Sequence, residues 1–330
     1  MRKLILIFLV CLMFLILLFT TASFASTNLK CAHVGAVTSP NEPGLKLMAE
    51  LMSEKTDGEI NITVYGGGVL GGERDVNEGV QMGSIDITLT TTGVLENFVP
   101  TMGILSLPFL FNDSDHFKKF ETSKIAEELL ATCEDYGFKG LGFSTPVFRE
   151  PLNSVRPINI PEDFKGLKIR LMEVPIHMDT YAAMGASPTP IAYAEVYSSL
   201  QLGVVDGCEN ALSSLMDMKF YEVSKYLSRL PVFSNAFALI MNLDKWNNLS
   251  SKHQQDLLVS ARKGLDLIDD GYIAKGEEAI EVMKKAGIII NTPSSMDPFI
   301  KATQSVYDKN VPNLPSGAQE IIDGIRALAK

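Results

Sequence analysis

The chain has 330 residues and a formal net charge of −10, with 46% apolar and 21% charged residues. This composition is that of a globular protein, and the length is sufficient for two domains. The acidic balance excludes the broad basic surface that nucleic-acid binding requires, so we expect no nucleic-acid partner.

The first 25 residues differ from the rest of the chain. Arg2 and Lys3 precede an unbroken apolar run at 4–19, and small residues follow it. This pattern is typical of a secretory signal peptide, with cleavage near Ala25–Ser26. The run is shorter than the ~20 residues of a spanning helix. A retained membrane anchor is the alternative.

Two series of alternating strands and helices follow. Apolar periodicity predicts strands at 29–36, 59–65, 85–89 and 138–143, with helices at 43–56, 73–82 and about 115–136. A proline-rich stretch at 146–161 then predicts a crossing between domains. The second series has predicted strands at 167–171, 187–190 and 204–206, and helices at 175–184, 194–202 and 211–219. Such alternation is typical of an α/β layer fold.

A long helix is predicted near the C-terminus. Residues 251–254 read as a capping box, no proline follows until after 286, and Gly287 can end the helix. A continuous helix of ~35 residues would span ~50 Å and could brace both domains. Because Gly264, Gly271 and Gly276 weaken a helix, two helices with a kink are the alternative.

A glycine-rich stretch at 66–71 has the G-x-G-x-x-G spacing of a dinucleotide-binding loop. In that fold an acidic residue at the end of the second strand reaches the ribose. Here the candidate, Asp86, lies at the start of its predicted strand. We therefore interpret the glycines as a turn with positive φ and close strand–helix packing. An exported NAD-type oxidoreductase that uses this loop is the alternative function.

Other signals of catalysis or of metal binding are sparse. Cys31, Cys133 and Cys208 follow the predicted signal, are odd in number and form no C-x-x-C pair. Both a single disulfide with one free thiol and three free thiols fit this count. The sequence has no Walker loop, G-x-S-x-G elbow or H-E-x-x-H motif. We expect no cofactor and no metal.

Several linked motifs carry a more specific signal. Residues 161–177 read PEDFKGLKIRLMEVPIH, followed by GASPTP at 185–190 and LQLGVVDGCEN at 200–210. LGGE at 70–73 and LPFLF at 107–111 precede them in the same order. Together these segments resemble the extracytoplasmic solute receptor of tripartite ATP-independent periplasmic (TRAP) transporters, the DctP family.

The resemblance implies a two-domain, periplasmic-binding-protein-like α/β fold with a ligand cleft between the domains. We expect domain I to comprise 26–147 plus about 233–262, and domain II 148–232 plus about 287–330. The helix at about 252–286 would span both. The resemblance further implies a periplasmic monomer without enzymatic activity. It would bind a small organic acid and deliver it to the small and large TRAP membrane subunits. A receptor that feeds a sensor system is a further alternative.

The resemblance also implies roles for individual residues. Arg170, at the end of a predicted strand, resembles the family's carboxylate-binding arginine, and guanidinium matches a carboxylate with two parallel hydrogen bonds. Arg149 resembles a second arginine of the family, which contacts the ligand carboxylate. The alternative is that Arg149 forms an ion pair with Glu150. Asn210 would donate its amide to the ligand. Tyr193 would place a ring over the ligand or serve in the core.

The remaining candidates concern the identity of the acid. Thr91 and Thr92 would contact the tail of the ligand, or merely cap the next turn. His33, Glu73 and Glu173 are polar groups near other strand ends. Carboxylates repel a second ligand carboxylate but accept hydrogen bonds from hydroxyls. If Glu73 and Glu173 line the cleft, a sugar acid such as a uronate is favoured; otherwise a four-carbon dicarboxylate or a 2-oxo acid remains open.

Overall fold

The computed structural model describes residues 26–144 and 147–329, and the predicted signal peptide lies outside them. Two β-sheets flanked by helices form the fold. The strands are β1 Thr27–Ala32, β2 Ile60–Tyr65, β3 Ile87–Thr91, β4 Phe138–Ser144, β5 Phe148–Asn153, β6 Lys168–Leu171, β7 Ser187–Pro190, β8 Gly207–Ala211, β9 Tyr226–Ser228, β10 Phe233–Ser234, β11 Phe237–Asn242 and β12 Ile289–Asn291.

The helices cover both sheets and connect their strands, as expected for an α/β fold. They are α1 Asn41–Lys55, α2 Glu73–Gln81, α3 Thr92–Leu95, α4 Ser114–Glu121, α5 Lys124–Ala131, α6 Pro175–Ala183, α7 Val196–Gln201, α8 Leu212–Asp217, α9 Leu243–Asn247, α10 Ser251–Lys285, α11 Asp297–Ala302, α12 Gln304–Asn310 and α13 Ala318–Ala327. Within the described residues no helix combines the length and the apolar character that crossing a bilayer requires.

The first sheet has the order β2-β1-β3-β11-β4, and the second has the order β12-β9-β5-β8-β6-β7, with β10 paired to β5. β1 runs parallel to β2 and β3, and β6 runs parallel to β7 and β8. The chain passes from the first sheet to the second between β4 and β5, and returns between β10 and β11. The proline-rich stretch at 146–161, which was predicted to be a crossing, thus contains the strand β5, which the sequence analysis did not include.

Two local expectations were wrong, and the sequence analysis missed a central strand. The single helix expected at about 115–136 is divided into α4, α5 and a 3-10 turn, because the Ser123 side chain caps a new helix by accepting the Ala126 N–H at 3.3 Å. The strand expected at 204–206 begins instead at Gly207, after a turn in which Gly203 has φ +67°. β11 was not predicted, although all six of its residues are buried as the strand between β3 and β4.

The long helix α10 is continuous over 35 residues. Its N-cap is Ser250, one residue before the predicted box, and the side chain accepts the His253 N–H at 3.2 Å. Leu257 and Leu265 pack in the core beneath the first sheet, whereas Ala279 and Met283 pack in a core of the second. The helix therefore braces both halves of the molecule.

Two of the three glycines of α10 serve its packing, whereas Gly276 faces open space. A Cβ atom on Gly264 would lie 2.6 Å from the backbone oxygen of Gly44 in α1, and one on Gly271 would lie 2.8 Å from Pro40 Cβ. Close approach of the two backbones requires residues without side chains at these points. Tertiary packing thus outweighs the low helix propensity that suggested a kink.

The C-terminal segment packs on both halves of the protein. Ile322 and Ile325 of α13 are fully buried in the apolar cluster that contains Phe117 and Phe120, beside the first sheet. Phe299 of α11 belongs to a cluster of the second sheet. The domain boundaries stay a prediction, but α13 contributes to the core of the half that was not expected to contain it.

Cys31, Cys133 and Cys208 are all buried free thiols. Burial raises the pKa of Cys133 and of Cys208 to about 12, and it also raises that of Cys31. A buried thiol with a raised pKa stays protonated at neutral pH, whereas the thiolate is the nucleophilic form. The structure therefore has three free thiols rather than one disulfide and one free thiol.

Candidate ligand-binding site

A cavity of about 500 Å³ lies between the two sheets. The carboxyl ends of the parallel strands open onto it, as is usual for ligand sites in α/β proteins. Its polar lining comes from both sheets and from the connections between their strands. Seven of the polar lining residues are ones that the sequence analysis proposed for the site: Glu73, Thr91, Arg149, Arg170, Glu173, Tyr193 and Asn210. The other polar lining residues are Asn41, Arg74, Asp75, Glu195, Ser214, Asn235 and Tyr272.

Arg170 in β6 is a buried cation, with 2% of its surface exposed. Its Nε donates to the carbonyl oxygen of Ile191 at 2.8 Å, and its Nη1 has no hydrogen-bond partner among the described residues. Burial lowers the pKa of Arg170, and the positive charge of Arg149 lowers it further. A desolvated guanidinium in this position strongly favours the binding of an anion in the cavity.

Arg149 in β5 is held by the protein itself. Its Nε and Nη2 donate to the two carboxylate oxygens of Glu209 at 2.5 and 3.0 Å, and its Nη1 donates to Asn235 Oδ1 at 2.6 Å. Burial lowers its pKa, but the Glu209 carboxylate outweighs this effect and the pKa is raised. Glu150, the partner considered from the sequence, instead accepts a hydrogen bond from Arg229 at 2.6 Å.

The arginine pair, Arg149 and Arg170, therefore shares one internal carboxylate. Glu209 is fully buried and neutralises one of the two cations, which leaves one positive charge for a ligand. Sequence reasoning missed Glu209 and Asn235. The sequence could have indicated Glu209, since a carboxylate within a buried strand requires a cationic partner. Asn235 lies in a short connection, where no sequence pattern indicates a role.

Asn210 and Tyr193 lie on the same side of the cavity as Arg170. Asn210 Oδ1 accepts the Ala211 N–H at 2.9 Å, so the amide NH₂ is the end that can donate to a ligand. The Tyr193 ring meets Phe220 edge-on at 6.1 Å and also lines the cavity, so it serves both the core and the site. Burial raises the pKa of Tyr193 to about 12.

Glu73 and Glu173 provide carboxylates elsewhere on the cavity wall. Glu73, the first residue of α2, is half-buried, and its Oε1 accepts the Thr91 N–H at 2.5 Å and the Thr90 hydroxyl at 3.2 Å. Burial raises its pKa against the opposing effect of these hydrogen bonds. Glu173 is exposed, and its carbonyl oxygen accepts a hydrogen bond from Asn97. Glu73 is thus an inner wall residue and Glu173 a rim residue.

Two candidates do not reach this cavity. His33 is 1% exposed, and its Nε2 lies 2.8 Å from Glu42 Oε2, behind the glycine turn. Burial lowers the pKa of His33, although Glu42 opposes this. The Thr92 hydroxyl donates to the carbonyl oxygen of Ala236 at 3.3 Å, and Thr92 lines a separate, smaller cavity. His33 therefore does not meet the arginine pair, and Thr92 faces a smaller cavity that Arg149 also lines but Arg170 does not.

The glycine turn lines the cavity through its backbone. Gly67, Gly68 and Gly71 have φ values of +70°, +72° and +118°, which favour glycine, and the turn interpretation is confirmed. A Cβ atom on Gly66 would lie 2.6 Å from His33 Nε2. Asp86 accepts the Lys30 N–H at 2.7 Å and does not line the cavity, so the acidic residue of a dinucleotide site is missing from it.

The described residues also provide no metal centre. Between 26 and 144 and between 147 and 329, no three His, Cys, Asp or Glu side chains are grouped so that they could hold a metal ion. The site is therefore a cavity in which Arg170 has no carboxylate partner among the described residues, with amide and hydroxyl groups beside it and carboxylates on other parts of the wall.

Comparison with known proteins agrees with this arrangement. The model of the DctP family, "Bacterial extracellular solute-binding protein, family 7", matches residues 31–312. The chain belongs to this family. Members of the family are solute-binding receptors rather than enzymes, so the recognition of a TRAP-type receptor from the sequence motifs is confirmed, as is the two-domain α/β fold.

Three relatives show the range of this family. The 2,3-diketo-L-gulonate-binding periplasmic protein of Escherichia coli is 30% identical over 301 residues, covering 91% of this chain and 92% of that protein. A TRAP solute-binding protein of Roseobacter denitrificans with bound β-D-glucuronate has a TM-score of 0.88 at 27% identity, covering 91% and 99% of the two chains. One from a Polaromonas species, bound to D-erythronate, has a TM-score of 0.87 at 31% identity, covering 92% and 99%.

Proposed function

We propose that this DctP-family protein is the receptor of a TRAP-type secondary transporter and captures a sugar-acid anion, such as a uronate, for the membrane permease subunits. The observation that carries the proposal is Arg170, a buried guanidinium without a carboxylate partner among the described residues, on the wall of a 500 Å³ cavity.

The carboxylate of the ligand would bind at the arginine pair. Arg170 has its Nη groups available, because only Nε is engaged with the backbone of Ile191. Asn210 would add its amide N–H. Arg149, fixed by Glu209, would contribute positive charge from a preorganised position rather than rearrange on binding. One ligand carboxylate then neutralises the single remaining positive charge.

The body of the ligand would be recognised at Glu73. The Thr91 hydroxyl caps the next helix instead, by accepting the Val94 N–H at 3.4 Å. Oε1 of Glu73 already accepts two protein hydrogen bonds, and a ligand hydroxyl would donate to the other oxygen. A second ligand carboxylate there would meet a like charge at short range. The relatives with glucuronate and erythronate named as their ligands support the class of polyhydroxy acids over dicarboxylates. The 2,3-diketo-L-gulonate of the Escherichia coli relative is also a hydroxylated monocarboxylate, with a 2-oxo group in addition.

The same proposal includes the cellular setting. Residues 1–25 would be removed near Ala25–Ser26 on export, and the mature protein would act as a periplasmic monomer without catalytic turnover. The family is one of extracellular solute-binding proteins, and the Escherichia coli relative is periplasmic. Capture and release by closure of two halves around a ligand requires no bond to be made or broken in the ligand.

The test is thermal unfolding of the mature chain, stripped of bound ligand by unfolding and refolding, against uronates, aldonates, dicarboxylates, 2-oxo acids and NAD. A ligand at ~1,000 times its Kd adds ~4 kcal/mol to stability, a visible shift of the midpoint. A shift with one or more sugar acids is the expected result. A shift with dicarboxylates alone would reject the sugar-acid class, and a shift with NAD alone would reject the receptor.

A further inference from the structure

A second cavity, of about 10 Å³, lies next to Arg149 at the connection between the two sheets. We call it the hinge cavity. Its lining comes from both halves of the molecule and from the crossing chain: Thr91, Thr92, Gly93, Leu105, Ser106, Arg149, Met172, His177, Ser234, Asn235 and Ala236. This volume is about that of one water-sized sphere, too small for an organic ligand.

Buried polar atoms without partners line this cavity. His177 Nδ1 and Ser234 Oγ make no hydrogen bond with any described residue, and the two side chains are 3% and 9% exposed. Ser106 Oγ also has no partner with hydrogen-bond geometry, although the Glu96 carboxylate lies beside it. Native proteins rarely leave such atoms unsatisfied, and each therefore points to a bound group in the cavity.

Arg149 supplies a fourth polar group. Its Nη1 carries two hydrogens, and Asn235 Oδ1 is the acceptor for one of them. His177 is held in place by stacking on Phe233, with ring centroids 3.7 Å apart and an interplanar angle of 12°. Burial and the charges of Arg149 and Arg170 lower the pKa of His177 well below its usual range, so its ring is neutral and can accept a hydrogen bond.

We propose that the hinge cavity is the binding site of one structural water molecule, which accepts hydrogen bonds from Arg149 Nη1 and Ser234 Oγ and donates to His177 Nδ1 and Ser106 Oγ. A buried water usually makes about three hydrogen bonds, within a range of two to four. His177 is then the Nε2–H tautomer, and the Ser106 hydroxyl donates onward to Glu96.

The water bridges the two halves of the protein behind the ligand site. Ser106 belongs to the half that contains the first sheet, His177 to the half that contains the second, and Ser234 to the chain that crosses between them. Arg149 is therefore oriented by three contacts, namely Glu209, Asn235 and the water. The water is a positioning element for the arginine pair, present with or without a ligand.

A high-resolution crystal structure of the ligand-free mature protein tests the proposal. The expected result is ordered density in the hinge cavity, within hydrogen-bond distance of His177 Nδ1 and at least two of the other three groups. Absence of this density would overturn it, as would side chains rotated to bond one another directly. Because the crystal contains no sugar acid, the result does not depend on the proposed ligand.

A variant provides the second arm of the test. His177→Phe keeps a flat ring on Phe233 but removes an acceptor, and we expect the water density to be lost or much reduced. Ser260→Ala is the matched control, because Ser260 is a buried serine on α10 whose hydroxyl is bonded to the Asp256 carbonyl oxygen at 2.7 Å. This control should retain the water. Undiminished water density in His177→Phe would refute the assigned partner, and if that variant fails to fold, the wild-type crystal decides.

Discussion

Replacement of Arg170 by methionine separates ligand binding from stability. Arg170→Met keeps the length of the side chain and removes the charge. A ligand carboxylate would then be buried without its main cationic partner, and breaking a buried ion pair costs about 3–5 kcal/mol. Because about 1.4 kcal/mol corresponds to a tenfold change in Kd, the affinity should fall by roughly two to four orders of magnitude.

The stability of the ligand-free protein should change in the opposite direction. The variant loses the hydrogen bond from Nε to Ile191, worth about 1 kcal/mol. It also relieves the desolvation of a cation whose Nη1 is unpaired in the described structure, which costs several kcal/mol. We therefore expect the ligand-free variant to be more stable than the wild type by about 1 kcal/mol or more.

The assay is isothermal titration calorimetry with the acid that most stabilises the wild type, together with denaturant unfolding of both ligand-free proteins. Arg156→Met is the matched control, since Arg156 donates to the backbone oxygens of Asp163 and Lys165 and does not line the cavity. It should not change the affinity. The reasoning is refuted if Arg170→Met binds within a few-fold of the wild type, or if it is clearly less stable without ligand.

Three further changes test other parts of the site. Glu209→Gln leaves Arg149 buried without its carboxylate, so the free energy of unfolding in urea should fall by about 3–5 kcal/mol. Glu73→Gln should weaken a uronate by about tenfold, the value of one hydrogen bond to a charged group, and leave a plain monocarboxylate nearly unchanged in titration calorimetry. Glu96 has a pKa raised from 4.5 to about 7, chiefly by burial. Its native form holds a proton that the unfolded chain releases, so this carboxyl lowers stability as pH rises from about 4.5 to 7, by at most about 3 kcal/mol. Glu96→Gln should remove that part of the pH dependence.

Two of these changes have a control variant, and the third has an outcome that would refute it. Glu150→Gln removes a carboxylate whose partner, Arg229, is partly exposed, and should destabilise less than Glu209→Gln. Glu173→Gln, at the rim, should weaken the binding of a uronate less than Glu73→Gln does. A larger effect would show that Glu173 rather than Glu73 recognises the ligand hydroxyls. If the stability of Glu96→Gln changes with pH in parallel with the wild type, the carboxyl is not the group that titrates.

Local patterns in the sequence were enough to predict the class of fold and most of the helices and strands. The long helix is predicted within one residue at each end by the capping box at 251–254, the absence of proline up to 286 and Gly287, because caps and helix breakers are properties of neighbouring residues. The family motifs at 161–177 and 200–210 led to Arg170 and Asn210, which line the cavity. His33 and Thr92 show the limit of this reasoning, since lying near a strand end does not determine which way a side chain points.

The sequence by itself thus determined the α/β architecture, the bracing helix and the family. Only the tertiary structure decided how the buried charges pair. Arg149 meets Glu209, sixty residues away, rather than its neighbour Glu150, and Arg170 is left without a carboxylate among the described residues. Adjacent residues on a strand point to opposite faces, so the partner of a buried charge is set by strand register across the sheet, in this case by the antiparallel pairing of β5 with β8.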